Sequence, residues 1–566
     1  MKIRLFIYNQ SFKVLCILFL VLIDSIFMNA GFSEETIHEV IQQADLLKKR
    51  VETMEQILKE DTKQKDNYRS LRKETDDLVQ ILEEVEKKSL MDRLTLGAEL
   101  RTRFDWFEFN GYDNLLFSEK HMTSEKQLER IRYFPTNRLR LNLKAKLDDK
   151  LQIHSRLVYY RMWADDDKPL FPDYNLFNYS RNPTENRLKV ERAYVDYFFE
   201  PFLKIPMAFT FGKIPSTDSM PSNYKENTPR KSTYASLSYD IESDAISLSL
   251  FLDHWIPLPN PSLRLIFLRV MDDNQEYLND RKISNKKGIY RDDIWLQDEV
   301  NIYAEQIEFG FPGLLNDGIV ILNHIFIEKA TGADFRYDED LYQLYNDSSG
   351  AIYVYKPQSV GFVHKFTTYI QANQLFGLPL DCFAGYGFVK SHAKDAFRFM
   401  FNPKALGIDD PPILARDAAN KYQTLIQNNP TLGNALNAMK DIPPAIGLFN
   451  YDGESDHSGY GFHVGLCYHL FIESLKNPKI GIEYNQGSRY WFGINEGADD
   501  PFKKLNTHGV AWDLYYIQPL NNSFLVRLGY TDIQYDYDNG LAFYHGEPLP
   551  IDLRMTNFYL QFDARF

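Results

Sequence analysis

The sequence predicts an all-β fold: a transmembrane antiparallel β-barrel of about eighteen strands, alternatively sixteen, preceded by an α-helical coiled-coil segment. Three observations predict it. After residue 90 the hydrophobic period changes from about 3.5 to 2, in segments of about 10–13 residues, the length a tilted strand needs to cross a bilayer. The connections between these segments alternate between short and long. The chain ends in an alternating strand that closes on the aromatic Phe566.

Composition narrows the field. The 566 residues include 6 Trp, 36 Tyr and 41 Phe, and this aromatic share of 15% is too rich for disorder. A mean hydropathy of −0.40 argues against a bundle of transmembrane helices. Three cysteines make neither a disulfide scaffold nor a zinc ribbon. A formal net charge of −14 speaks against nucleic acid as a partner.

Residues 1–33 read as a secretory signal peptide. Lys2, Arg4 and Lys13 precede the apolar run Val14–Ile23, and small residues follow at Ala30, Gly31 and Ser33. An uncleaved anchor helix is the alternative, and the run is short for one. Residues 34–90 read as a helix, with apolar residues at steps of three and four: Ile37, Val40, Ala44, Leu47, Val51, Met54 and Leu58. That seam predicts a periplasmic coiled coil and a homo-oligomer, three chains being the expected number, although the seam residues do not fix it. A solitary amphipathic helix is the other reading.

The barrel follows over 91–566. In its first strand Leu94, Leu96, Ala98, Leu100, Phe104 and Trp106 share one face, and Glu99, Arg101, Arg103 and Asp105 the other. The pattern recurs over Arg138–Leu147, Gln152–Trp163, Ile246–Leu252, Tyr460–Leu470, Val510–Tyr516 and Phe524–Tyr530. Short connections are expected at 148–150, 242–244, 376–379, 474–478 and 519–522, and long ones at 107–137, 164–186, 330–357, 393–457 and 534–553. A parity argument adds one strand within 271–297 and brings the count to about eighteen. In the last strand Phe558, Leu560, Phe562 and Phe566 share a face. This resembles the C-terminal assembly strand of bacterial outer-membrane barrels, which implies barrel-assembly machinery, outer-membrane lipid and lipopolysaccharide as partners.

Loop 393–457 carries two helical patterns. Leu414, Ala418, Tyr422 and Leu425 follow Pro411-Pro412, and Leu432, Ala435, Leu436 and Met439 follow Pro430. A lid at the pore mouth and a surface decoration fit equally.

Asn137–Lys146 (NRLRLNLKAK), Val190–Tyr197 (VERAYVDY), Phe211–Tyr224 (FGKIPSTDSMPSNY) and Thr228–Tyr234 (TPRKSTY) carry a family resemblance. They resemble a functionally uncharacterised family of bacterial outer-membrane porins with an N-terminal coiled coil. The chain departs from that pattern at Lys213, where the family usually has Arg, and at Ser219-Met220, where it usually has Gly-Pro. The resemblance implies an outer-membrane barrel and supplies no substrate.

No enzyme is expected. CxxCH, HExxH, GxxxxGK[ST] and GxSxG are all missing from the sequence. His463, Cys467 and His469 share a strand face, but alternate residues lie ~7 Å apart, so no metal site and no cofactor is expected without help from a neighbouring strand. Cys382 and Cys467 fall on adjacent strands, and nothing in the sequence supports a bridge. The acidic clusters Asp165-Asp166-Asp167 and Asp338-Glu339-Asp340 read as solvated loops, with calcium as the alternative.

The expected function is passive diffusion of small hydrophilic solutes; a structural or interaction barrel without flux is the alternative. Arg101, Arg103, Arg138, Arg140, Lys144, Lys146 and Arg156 should form a basic ladder inside the lumen. Such a ladder favours small anionic solutes unless acidic residues such as Asp196 or Asp253 pair with it.

Overall fold

The computed structural model describes residues 93–111, 130–163, 188–200, 205–270, 300–311, 316–330, 351–355, 359–396, 398–441, 445, 447–450, 452–495, 500, 502–537, 548 and 550–566, with a few positions between 45 and 53. Those few are helical. The signal peptide, every residue of the coiled-coil seam and both acidic clusters lie outside the described residues.

The strands run, in chain order, β1 (Leu94–Gly111), β2 (Arg130–Lys146), β3 (Leu151–Met162), β4 (Leu188–Phe199), β5 (Met207–Lys213), β6 (Asp244–Phe251), β7 (Ser262–Val270), β8 (Val300–Phe311), β9 (Asn316–Ala330), β10 (Ile352–Tyr355), β11 (Gly361–Asn373), β12 (Leu380–Ala393), β13 (Arg398–Phe401), β14 (Ile413–Leu414), β15 (Ser458–His469), β16 (Lys479–Gly487), β17 (Gly509–Pro519), β18 (Phe524–Tyr537) and β19 (Pro550–Arg565). Sixteen of them close a barrel in which chain neighbours pair, and β10, β13 and β14 form a separate sheet. β1 pairs with β19 from Glu99↔Arg565 to Gly111↔Leu553. The Ala98 and Phe566 main chains complete that seam with bonds of 3.1 and 3.2 Å.

The ring is therefore the sixteen-stranded alternative rather than the eighteen-stranded count. β7 pairs directly with β8, from Ser262↔Glu308 to Val270↔Val300, so no strand stands between them. The miscount has a second source. Residues 242–244 were expected to be a tight turn, yet β5 and β6 pair directly from Met207↔Leu250 to Lys213↔Asp244. Everything from 214 to 243 is thus a single insertion at one end of that hairpin.

Burial alternates along the strands as a barrel wall requires. Outward residues are apolar and exposed, among them Leu100, Trp106, Leu265, Ile307, Leu322, Phe366, Leu466, Ile482, Trp512, Leu528 and Phe558. Inward residues include many polar and charged groups, all buried: Glu99, Arg101, Asp105, Gln306, Lys365, Glu483, Asp513, Arg527, Gln561 and Asp563. Near the long-loop end of β1, Trp106 packs against Tyr133 and Phe558 at 5.3 and 5.7 Å, and Phe104 meets Trp163 edge-on at 5.2 Å. Aromatic rings suit the water–hydrocarbon boundary, where one edge is wet.

The interior also holds an apolar core. Ile266, Leu268, Ile302, Ile325, Ile327, Val363 and Val389 pack with Ile214, Tyr239 and Ile241 of the insertion and with Trp491, Phe492 and Ile494 of the β16–β17 connection. The Trp491 indole fits because Gly387, Gly461 and Gly487 face it. A Cβ at these positions would meet the ring at 2.3, 2.5 and 2.8 Å.

Residues 142–154 and 195–198 belong to a separate compact unit. In its turn Asp148 Oδ1 accepts from the Lys150 and Leu151 main-chain N–H groups, each at 2.7 Å, and so fixes the β2–β3 reversal.

Loop 393–457 folds together with β10, which pairs with β13 from Ile352↔Phe401 to Tyr355↔Arg398. Helices Ala415–Lys421, Gln423–Asn428 and Pro430–Ala438 occur where the apolar spacing and prolines placed them. Ala418, Leu432, Leu436 and Met439 pack with Ile352, Phe399 and Phe401 of the small sheet.

Candidate functional site

The 214–243 insertion turns inward and is held by charges from many strands. Asp218 is its first anchor. Its carboxylate accepts from Arg140 Nη1 at 2.9 Å, Arg156 Nη1 at 2.5 Å and Arg192 Nη2 at 3.3 Å. Glu191 stands beside it, accepting from Arg140 Nε at 2.8 Å and from the Thr217 hydroxyl at 2.8 Å. Burial pushes the Asp218 carboxyl up, but the three guanidiniums outweigh it and hold the group well below the usual carboxylate range.

Glu226, at the end of the short helix Ser222–Glu226, is the second anchor. It binds Arg101 Nη2 at 2.5 Å and Lys231 Nζ at 3.1 Å. Burial opposes its ionisation, yet Lys231 and Arg101 hold it well below its usual range. Arg101 also binds Asp563 of β19 at 2.8 Å, and Lys231 reaches Glu99 of β1 at 2.9 Å.

Lys225 points to the other side of the ring order, to Glu483 of β16 at 2.5 Å and Asp513 of β17 at 2.6 Å. Burial lowers its pKa, and the two carboxylates offset only part of that. Lys504 joins the same pair of carboxylates. Further contacts fix the rest of the insertion. Arg230 binds Glu308 of β8 in a fork at 2.7 and 2.9 Å, Lys365 of β11 donates to the Ser238 carbonyl at 2.8 Å, and Arg527 of β18 donates to the Lys225 carbonyl at 3.0 Å. The insertion thus joins β1–β4, β8, β11 and β16–β19 across the interior.

The expected basic ladder divides into three parts. Arg101, Arg138, Arg140 and Arg156 face inward on β1, β2 and β3, and each is buried among carboxylates; the Arg140 side chain is 0% exposed. Arg138 lies 3.6 Å from Glu99. Arg103 forms a pair with Asp105 at 2.8 Å and stacks on Tyr559 at 4.2 Å. Lys144 and Lys146 are exposed, and Lys146 pairs with Asp149 at 2.7 Å. The acidic partners differ from those expected. Asp196 faces His154 at 3.4 Å and Asp253 is exposed in a turn, while Glu191, Asp218, Glu226 and Asp563 meet the arginines.

Arg192, Lys225, Glu226, Glu483, Lys504 and Asp513 escaped the sequence reading. A signal for some of them was present. Arg138 and Arg140, Glu191 and Arg192, Asp218, and Arg230 and Lys231 all lie in or beside the four stretches that carry the family resemblance, and these stretches meet in one charged cluster. Cys382 and Cys467 are both free thiols. Asp381, not Cys382, stands opposite Cys467, and Cys382 sits on the other face of β12, so the two thiols point apart. Phe558, Leu560, Phe562 and Phe566 all lie on the outward face of the terminal strand, with Phe566 84% exposed.

The fold is similar to solved structures at low sequence identity. These include Pseudomonas putida OprB at high pH (11% identity, TM-score 0.43, 85% of this chain and 96% of that one). Salmonella typhi OmpF in complex with daunomycin gives 9%, 0.37, 84% and 97%, and the outer membrane channel DcaP of Acinetobacter baumannii 11%, 0.38, 84% and 97%. A comparison with curated protein sequences gives no match. The family model described as "Protein of unknown function (DUF3373)" matches residues 130–562, most of the chain, and the protein belongs to that family.

Proposed function

We propose that the protein is an outer-membrane channel for the passive diffusion of small hydrophilic solutes. The observation that carries this reading is the closed ring of sixteen strands with an apolar outer wall and a charged inner one. Rings of 16–18 strands enclose an aqueous passage. In this reading the inward insertion sets the bore, the outer wall meets lipid and lipopolysaccharide, and the terminal strand engages barrel-assembly machinery. The coiled coil at 34–90 then lies in the periplasm and holds a homo-oligomer together, and loop 393–457 stands at the mouth.

The arginine ladder acts in this scheme first as a clamp. Carboxylates compensate most of its charge, so selectivity follows from what the pairs leave over. A preference for small anions or carboxylated solutes needs a net positive remainder, and reversal potentials across a salt gradient measure its sign.

One observation favours a second reading, a structural barrel without flux. Apolar side chains of β7, β8, β9, β11 and β12 fill part of the interior together with Tyr239, Phe492 and Ile494. Reconstitution into planar bilayers decides. Discrete conductance steps support the channel; a folded protein that inserts and stays silent supports the structural barrel.

A further inference from the structure

The inward faces of β12 and β15 bring three metal-ligating side chains together beside the short connections. Asp381, the second residue of β12, stands directly opposite Cys467 in the ladder, and His469 ends β15. Cys467 and His469 alone are too widely spaced to share an ion easily, because alternate strand residues are ~7 Å apart. The carboxylate from the neighbouring strand fills that gap. One ligand atom from each residue, a carboxylate oxygen, the sulfur and an imidazole nitrogen, lies within 4.8 Å of the other two. His469 Nε2 is 2.6 Å from Asp381 Oδ2. Among the described residues this is the one group of three such ligands so assembled.

The surroundings add a fourth possible donor. Tyr515 of β17 packs with Cys467 in one cluster. It is only 3% exposed, and its side chain hydrogen-bonds with Cys467, which places the hydroxyl beside the thiol. Asp381 and Cys467 are also buried, whereas the His469 side chain keeps 24% exposure, which gives a hydrated ion an entry.

We propose that Asp381, Cys467 and His469 bind one divalent transition-metal ion of the zinc class, with the Tyr515 hydroxyl or a water in the fourth position. The donor set selects the ion. Thiolate and imidazole suit zinc and its spectroscopic substitute cobalt, whereas magnesium and calcium require oxygen shells. Ligand atoms around tetrahedral zinc are separated by ~3.3–3.7 Å. The His469–Asp381 contact must open by about 1 Å and the widest pair close by a similar amount, which side-chain rotation at the strand ends can supply. On binding, the metal–sulfur bond replaces the S–H bond and the thiol proton passes to water. This inference does not depend on solute flux.

The test is cobalt titration of the full-length protein, chelator-treated and folded in detergent. The expected result is saturable binding of one Co²⁺ with a thiolate-to-cobalt charge-transfer band and the intense visible bands of a four-coordinate ion, both reversed by Zn²⁺ and untouched by Mg²⁺ or Ca²⁺. Cys467→Ser removes the charge-transfer band and Cys382→Ser keeps it. Asp381→Asn weakens binding by at least about tenfold. Heat-modified gel mobility confirms that each variant is folded. The proposal is overturned if the wild type shows no charge-transfer band, if the band survives Cys467→Ser, or if it is lost in a folded Cys382→Ser protein. An Asp381→Asn variant with unchanged affinity removes the carboxylate from the site and overturns it as well.

Discussion

Replacing Asp218 by Asn keeps the side-chain shape and removes the charge on which three guanidiniums converge. Arg140, Arg156 and Arg192 sit 2.9, 2.5 and 3.3 Å from that carboxylate, all buried, and its loss leaves Glu191 and Glu99 as the acidic groups beside Arg140. Removing one partner from a buried ion pair costs about 3–5 kcal/mol, because the surviving charge cannot return to water. At 1.4 kcal/mol per factor of ten, the ratio of released to clamped insertion rises by about two to three and a half powers of ten. Glu226, Lys225 and Lys231 still hold the far half, so the loosening should be confined to the residues around 214–221. Limited trypsin digestion in detergent measures it at the Lys213–Ile214 bond, which borders the loosened residues, while Lys225, Arg230 and Lys231 lie in the half that stays held. Asp218→Asn should become cleavable there while the barrel stays intact, and its bilayer currents should fluctuate more than those of the wild type. Adding Arg156→Gln should restore part of the resistance by removing an uncompensated charge. Wild-type resistance and currents in Asp218→Asn would refute the idea that this cluster holds the insertion.

Three other predictions follow from the same geometry. Asp218 and Glu226 ionise well below the usual carboxylate range, so their stabilisation is present above the ordinary carboxylate pKa and is lost only as pH falls through the lowered one. Trypsin-free acid titration with pepsin should therefore show the insertion still protected near about pH 4, and release between about pH 5 and 4 would contradict it. Trp491→Ala should cost about 3–5 kcal/mol through the cavity left against Gly387, Gly461 and Gly487, read as a lower urea midpoint; an unchanged midpoint means the indole does not support the interior. Deleting Phe566 removes the last rung with Ala98 and the exposed terminal ring, and should slow assembly into lipid vesicles. Assembly at the wild-type rate would detach the terminal aromatic from the assembly role.

Much of the wall was legible because a strand with one face in lipid must alternate, and alternation is a local property of the sequence. Leu100, Arg101, Trp106 and Phe558 could be assigned to their faces from period alone, and the structure keeps those faces. The helices of loop 393–457 were legible for a similar reason, since prolines and 3.6-residue spacing act over one or two turns. The charged cluster was only half legible. Period two places Arg101, Arg138 and Arg140 on the inner wall, but it cannot say what faces them.

Sequence by itself determined the residues that point inward and outward, the alternation of short and long connections, and the closing terminal strand, because each follows from contacts between near neighbours. Only the tertiary structure decided the strand number, since that depends on which distant segments pair: β7 with β8, and β5 with β6 across the thirty intervening positions 214–243. It likewise decided that the 214–243 insertion crosses the interior, where Asp218 and Glu226 meet arginines 26 to 125 residues away, and that Asp381 joins Cys467 and His469 across a strand boundary. Charge attraction and metal ligation act through space, so only ring closure brings such groups within bonding distance.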